Sequence, residues 1–413
     1  IKRTLYTVSA AAYPGEVSLQ TFRCADSYLS SRGILNSVND YQSNFFIRFC
    51  EERGLPEISR RRPEVVAISV TFQTQMIPAW TLAYHIKRLY PGIKVVLGGA
   101  TISRIHDRLL TIPSLSRGID AFVVFEGETA FPALLEQWEK GRDGLAAPNV
   151  ILPRDGRPVR SKKNHVEDLN ALPAPDHSDL PLDRYWCPEP ALLLNVSRGC
   201  YHGRCAFCMI SPASWGPKRG GNNYRVCSSE KISKNISYVC GQTGARAINL
   251  ANDVLSPRDL YEIGGALEKT GLDISWDSEI RLDRGLTRGI LKQMSKGGCR
   301  HLRFGFESAS QRVLDLMNKN IDHGEARRII ADCKDAGISV SLMCQVGFPG
   351  EKREEALETR RFLQEGAHLV SFLSLTPYVL ESGSAIHRQP GKYGISIIPN
   401  PPDEDLSWMF RYT

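Results

Sequence analysis

Three thiols, Cys200, Cys205 and Cys208, fall within nine residues directly after the apolar run Ala191 to Val196. That run reads as a strand, so the thiols belong to the loop at its carboxyl end. Cys205 and Cys208 stand three apart, which aims both sulfurs the same way, and Gly199 and Gly203 let Cys200 fold back towards them. Three thiolates rather than four is the informative count, because structural zinc and closed iron–sulfur clusters normally take four protein ligands. An open position admits a substrate or cofactor. With His202 as a fourth ligand, the same residues also fit a zinc knuckle.

The flanking sequence alternates strand and helix signals, which predicts an α/β protein. In residues 1–140, strands are expected at Thr4–Ser9, Ile34–Val38, Val65–Val70, Lys94–Leu97 and Ala121–Val124. Helices are expected up to about Ser31, over Asn44–Arg53, along the positions Ala79, Leu82, Ala83, Ile86 and Leu89, and over Ala130–Lys140. Five such strands imply a doubly wound, Rossmann-like parallel sheet, with the continuous apolar run Val65–Val70 buried on both faces. Ligands of these sheets sit beyond the strands' carboxyl ends. The groups there are Ser69, Thr71 and Thr74, then Gly98, Gly99 and Thr101, then Glu126 and Gly127.

Residues 141–190 are rich in proline, including Pro148, Pro153, Pro158, Pro173, Pro175, Pro181, Pro188 and Pro190, and read as a linker. Cys187 within it reads as structural. From residue 191 to about 390, strands are expected at Ala191–Val196, Arg246–Leu250, Leu272–Trp276, His301–Phe306, Ile338–Val346 and Leu369–Leu375. Helical runs lie between them, so this part predicts a partial barrel of six βα units with its working residues at the strand C-terminal ends. Residues 391–413 read as a tail.

At 413 residues, two domains are the natural division. Eleven scattered cysteines do not form a disulfide framework, which points to a reducing, cytoplasmic setting. No run of about 18 apolar residues is present, so no membrane span is expected. The net charge is +7, yet the basic runs Arg60–Arg62, Lys162–Lys163 and Lys218–Arg219 are short and carry no interleaved aromatics. They argue against nucleic acid as a partner.

The runs Ser197-Arg198-Gly199-Cys200 and Cys205-Ala206-Phe207-Cys208 resemble the loop of the radical S-adenosylmethionine (SAM) enzymes. That family's usual spacing is Cys-x3-Cys-x2-Cys; here four residues separate Cys200 from Cys205, read as a one-residue insertion because Tyr201 cannot replace a cluster thiolate. Ser69-Val70-Thr71, Val95 to Ala100 and Glu126 to Thr129 are similar to the cobalamin-binding domain that precedes many such barrels, and Asn170 to Asp176 resembles their connector. The resemblance implies a [4Fe–4S] cluster on Cys200, Cys205 and Cys208, and SAM on its fourth iron. It also implies cobalamin at the strand-end positions named above.

For SAM, the resemblance implies contacts from the Phe207 backbone, Asn252 and Asp253, Glu279 and Arg281, Gly305 and Glu307, and Gln345 and Val346. From the residues themselves, Asn252 and Asp253 equally suit a helix cap, and Glu279 with Arg281 an internal ion pair. The first 140 residues hold only His85 and His106, neither in an Asp-x-His-x-x-Gly run, so cobalamin is expected without a histidine beneath its cobalt. The function implied is C-methylation of an unactivated carbon of a small molecule through a 5′-deoxyadenosyl radical, with an external electron donor. Cyclisation, ring contraction or another rearrangement or oxidation is the alternative within enzymes, and a non-catalytic iron–sulfur module the alternative outside them.

Overall fold

The computed structural model describes residues 2–11, 13–18, 22–154, 156–185, 187, 189–209 and 224–413. Lys218, Arg219 and Pro188 lie outside the described residues. By internal contacts the chain divides into residues 1–167 with 398–411, and residues 168–397 with 412–413.

In the first unit, Val65–Ser69 (β1), Lys94–Gly98 (β2) and Ala121–Val123 (β3) are parallel neighbours in that order. Helix Met76–Leu89 (α1) connects β1 to β2, and Ala130–Glu139 (α2) follows β3. Trp80 on α1 is 1 % exposed, and its indole N–H donates to the Leu115 carbonyl (2.9 Å), so the largest core side chain keeps its polar atom paired.

Four expectations fail here. Thr4–Ser9 lies inside a helix, Lys2–Ala11, and Ile34–Val38 falls largely in the helix Ser31–Ser37. Ser30 caps the latter, its hydroxyl accepting from the Gly33 N–H at 3.1 Å, and this local bond outweighs the β-preference of so short an apolar run. The helix expected to end near Pro56 continues to Arg61, because Pro56 stands in a first helical turn, where its missing N–H costs no bond. Lastly, β1 is the terminal strand of its sheet and is half-exposed rather than buried on both faces.

The sheet is completed from residues expected to be linker. Val150–Arg154 (β4) pairs antiparallel with β3, and Arg157–Arg160 (β5) pairs antiparallel with β4. Pro153 faces Pro158 across this pair, so both missing N–H groups fall on one rung of the outermost ladder. Those prolines had made the segment look like a connector. The sheet is therefore mixed, with three parallel strands where five were expected.

The second unit matches its expectation closely. Ala191–Asn195 (β6), Ala247–Ala251 (β7), Ser275–Arg281 (β8), Cys299–Glu307 (β9), Ser339–Val346 (β10) and Phe372–Pro377 (β11) form one sheet, every adjacent pair parallel, in chain order. Helices Ser229–Thr243 (α3), Pro257–Thr270 (α4), Arg288–Lys296 (α5), His323–Asp335 (α6) and Arg353–Glu365 (α7) alternate with them. β8 starts later than Leu272 because Gly271 ends α4 in the left-handed region (φ 64°) and the next residues complete that turn.

One face of this sheet packs on the helices through Ile248, Leu250, Trp276, Ile280, Leu302, Phe304, Val340 and Leu342. Many of the alternate residues are polar, and registered rungs place Asn249, Asp277, His301 and Ser339 side by side. A buried parallel sheet is normally apolar on both faces. This one reserves a face for polar groups.

Helices α4 and α5 meet at a glycine. A Cβ on Gly264 would lie 2.9 Å from the Gln293 carbonyl and from Met294 Cα, whereas one on Gly265 would come no closer than 3.8 Å to any neighbour. Gly264→Ala is expected to destabilise by about 1–3 kcal/mol through overpacking, and Gly265→Ala to stabilise by up to ~1 kcal/mol through helix propensity. Urea unfolding midpoints of the two variants should therefore move in opposite directions.

Candidate active site

The cysteine loop is fixed by backbone bonds along its length. At its start, the Val196 N–H donates to the Ala251 carbonyl (3.3 Å), the Gly199 N–H to Asp253 Oδ2 (2.8 Å), and Cys200 bridges to Val254 beyond β7. Further along, the Ala206 N–H donates to the Met317 carbonyl (2.7 Å), and the Ala206 carbonyl accepts from the Ile386 N–H (3.1 Å). Asn318 Nδ2 donates to the Arg204 carbonyl (2.8 Å). All three thiols are partly exposed.

The turn 317–320 that grips the loop escaped sequence reading. It contains Asn318 and Asn320, both at φ 51°, a region asparagine tolerates better than most residues. Those asparagines were its only signal. His202 Nε2 donates to the Asn318 carbonyl (2.9 Å), and burial lowers its pKa, so the imidazole is a neutral tie to this turn. The Tyr201 hydroxyl donates to Asp283 Oδ2 (2.7 Å), consistent with Tyr201 being the inserted residue and no ligand.

Lys319 is the buried centre of that turn. Its Nζ lies 2.7 Å from Glu307 Oε1, both side chains under 10 % exposed, and 5.5 Å from the centroid of the Phe207 ring. Burial pushes the Cys205 thiol pKa up, while Lys319 and Arg281 oppose that shift by favouring the thiolate. Gly305 had been expected to let SAM approach. Its missing side chain instead leaves room for the ion pair: a Cβ there would meet Glu307 Oε1 at 2.8 Å and Lys319 Nζ at 2.9 Å.

Arg281, expected to contact SAM, is 4 % exposed and donates through Nη2 to the Lys319 (2.6 Å) and Asn320 (2.9 Å) carbonyls. Nor does it pair with Glu279, which lies 3.5 Å from Arg303 Nε. Asn252 donates to the Glu279 carbonyl (2.9 Å) and accepts from Ser278 Oγ (2.8 Å), while Asp253 holds Gly199. Neither residue caps α4, a task that Ser256 performs.

Other predicted positions do face open space. Glu279 is half-exposed on the polar side of the sheet, where Arg303 also bonds Asp277, and His301 is held between Ser339 Oγ (2.6 Å) and Ser341 Oγ (2.8 Å). At the end of β10, Gln345 Oε1 is buried with no hydrogen-bond partner among the described residues. Beyond Val346, a Cβ added to Gly347 (φ 81°) would touch nothing within 4 Å.

In the first unit, β1, β2 and β3 run parallel, so their carboxyl ends, with Ser69, Gly98 and the residues after Val123, lie along one edge. Ser69 and Thr71 are exposed there, and Thr74 and Gly127 partly so. Thr101 and Glu126 are not: the Thr101 hydroxyl donates to the Thr71 carbonyl (2.9 Å), and Glu126 Oε2 accepts from the Glu167 N–H (2.6 Å). A Cβ on Gly99 (φ 98°) would sit 2.7 Å from the Val70 carbonyl oxygen, so the sheet itself requires that glycine. His85 Nε2 donates to the Val38 carbonyl (3.1 Å) inside the core, and His106 Nδ1 to the Ser103 carbonyl (2.8 Å). Cys187, expected as structural, is exposed.

A three-thiol donor set beside two buried cations, with an unpaired amide oxygen and an open glycine at a neighbouring strand end, fits a cluster with a polar cofactor on its free corner. Among the described residues, no group of three His, Cys, Asp or Glu closes on a single metal ion. A four-iron cluster spreads its thiolates over separate irons and does not need that closure. Arg281 belongs to the frame of this site. Arg281→Ala should destabilise the cofactor-free chain by about 1–3 kcal/mol, because one buried and one partly buried carbonyl lose their donor; thermal unfolding measures it, and an unchanged midpoint with weakened SAM binding would return Arg281 to SAM.

Residues 194–363 match the radical SAM superfamily and residues 38–135 the B12 binding domain. The chain is 28% identical over 327 residues to an uncharacterized methyltransferase of Pyrococcus horikoshii, covering 78% of this chain and 68% of that one. It is 26% identical over 343 residues to the anaerobic magnesium-protoporphyrin IX monomethyl ester cyclase of Rubrivivax gelatinosus, covering 79% and 59%. The solved cobalamin-dependent SAM radical enzyme OxsB superposes with a TM-score of 0.70 at 14% identity, over 91% of this chain and 61% of that one. The chain thus spans about three fifths of the length of the last two. A radical SAM domain takes a [4Fe–4S] cluster and SAM, and a B12 binding domain takes cobalamin. The two matches, in this order and on these two units, place the chain among the cobalamin-binding-domain radical SAM enzymes.

Proposed function

We propose that this chain is a methyltransferase that places a methyl group on an unactivated carbon of a small molecule. The observation that carries the reading is the pairing of a B12 binding domain with a radical SAM domain, in a chain 28% identical to a protein named as a methyltransferase. When bound, the cluster and SAM supply a 5′-deoxyadenosyl radical and cobalamin carries the methyl group. The likeness to the Rubrivivax cyclase supports cyclisation as a second reading.

The residues divide by task. Cys200, Cys205 and Cys208 hold the cluster. The Phe207 backbone, Glu279, Gln345 and Val346 face SAM, with Gln345 Oε1 the acceptor that still needs a donor. Asn252, Asp253, Arg281, Gly305 and Glu307 act one step back, fixing the loop and the turn that the ligand meets. Ser69, Thr71, Thr74, Gly98 and Gly127 border cobalamin, while Gly99, Thr101 and Glu126 shape that edge from inside. Cobalamin is read here without a histidine beneath its cobalt, because His85 is buried in the core and neither it nor His106 stands in an Asp-x-His-x-x-Gly run. The electron comes from an external donor, and the work is cytoplasmic, consistent with eleven free cysteines; no helix among the described residues is long and apolar enough to cross a membrane.

The test is anaerobic incubation of the reconstituted protein with methyl-labelled SAM and a small-molecule extract, read by mass spectrometry. Label on a carbon of a product, with 5′-deoxyadenosine formed alongside, is the expected outcome, and Cys205→Ala should bring both to background. Production of 5′-deoxyadenosine without any label transfer would select the cyclisation or rearrangement reading instead.

A further inference from the structure

Glu307 and Lys319 form a buried ion pair that the fold maintains by three separate departures from regular structure. Glu307 takes a positive φ of 69°, a conformation that L-residues other than asparagine and aspartate rarely adopt. The pairing of β9 with β10 shifts register between Gly305 and Glu307. Gly305 has no side chain, and any Cβ there would strike both charged atoms, at 2.8 and 2.9 Å. A buried ion pair contributes little to stability over an apolar pair of the same size, because both charges are desolvated. The geometry is arranged around a charge, and packing alone does not account for it.

The charge lies beside the cysteine loop. Lys319 Nζ is 5.5 Å from the ring of Phe207, the residue preceding Cys208. The same turn holds Ala206 through the Met317 carbonyl and Arg204 through the Asn318 side chain, and is itself fastened by the Arg281 guanidinium, so the ammonium has little freedom to swing away.

We propose that Lys319, oriented by Glu307, is a positioning residue that sets the reduction potential of the cluster bound by Cys200, Cys205 and Cys208. This rests on the cluster reading above. One-electron reduction adds a negative charge to a cluster already ligated by three thiolates, and a fixed cation beside the cluster loop in a low-dielectric setting would stabilise the more negative state. The electron itself comes from the external donor. Glu307 moderates the effect and holds the ammonium in place.

The experiment uses the full chain, reconstituted anaerobically, with iron content measured and the reduced cluster followed by electron paramagnetic resonance during a dithionite titration. Lys319→Met should retain iron and titrate at a more negative potential, so that at the wild-type midpoint the ratio of reduced to oxidised cluster falls about tenfold. Glu307→Gln should shift the midpoint the other way, because it leaves the cation unbalanced. Opposite shifts are a signature that a structural fastening would not give. Midpoints unchanged or displaced in the same direction, or loss of iron from both variants, would overturn the proposal. Wild-type protein that takes up no iron would instead defeat the cluster reading on which it rests.

Discussion

The site depends on how one residue's backbone is satisfied. Ala206, between two of the thiols, is buried, gives its N–H to Met317 and takes an N–H from Ile386. Ser197–Arg198 at the loop's start pairs with Arg225–Val226, but among the described residues Cys205–Cys208 has no strand pairing, and a buried backbone group left without a partner costs about as much as a lost hydrogen bond. The loop therefore takes its shape from the elements that supply those partners: the end of β7, the turn after residue 316, and the short helix Ala385–Arg388. The insertion between Cys200 and Cys205 is absorbed in the same way, with Tyr201 tied to Asp283 and His202 to Asn318.

A second constraint is the distribution of charge around that loop. Lys319 and Arg281 are both buried, and each is compensated, one by a carboxylate and the other by carbonyls with Asp283 at 3.7 Å. Uncompensated, either would be too costly to bury. The polar face of the second sheet follows the same rule. Arg303 lies between Asp277 and Glu279, and His301 between two serines, so the groups that remain partly exposed are arranged before any ligand arrives.

How much of this was legible in the sequence depends on the range of the interaction. The thiol loop and five of the six barrel strands could be read because a spacing or an apolar period is local. β8 was misplaced by a helix cap, and Ile34–Val38, one of the two absent N-terminal strands, by a short apolar run that a serine cap turns into helix. β4 and β5 were hidden by prolines that happen to share a rung. Roles were harder than positions. Gly305, Asp253 and Arg281 stand where motif resemblance put them, yet Lys319 lies 14 residues from Gly305 and 38 from Arg281, and Gly199 lies 54 from Asp253, so only the fold reveals these contacts. Lys319 carried no local signal at all, since an isolated lysine in a polar turn reads as a solvated surface residue.

The central claim is that three thiolates leave one corner of the cluster open for SAM. Electron–nuclear double resonance on the reduced cluster, with SAM labelled at the methionyl nitrogen and carboxylate, tests it most directly. The account predicts hyperfine coupling to both labels in the wild-type protein. A reduced cluster that shows neither coupling with SAM present in excess, its fourth iron held instead by a protein side chain, would contradict it.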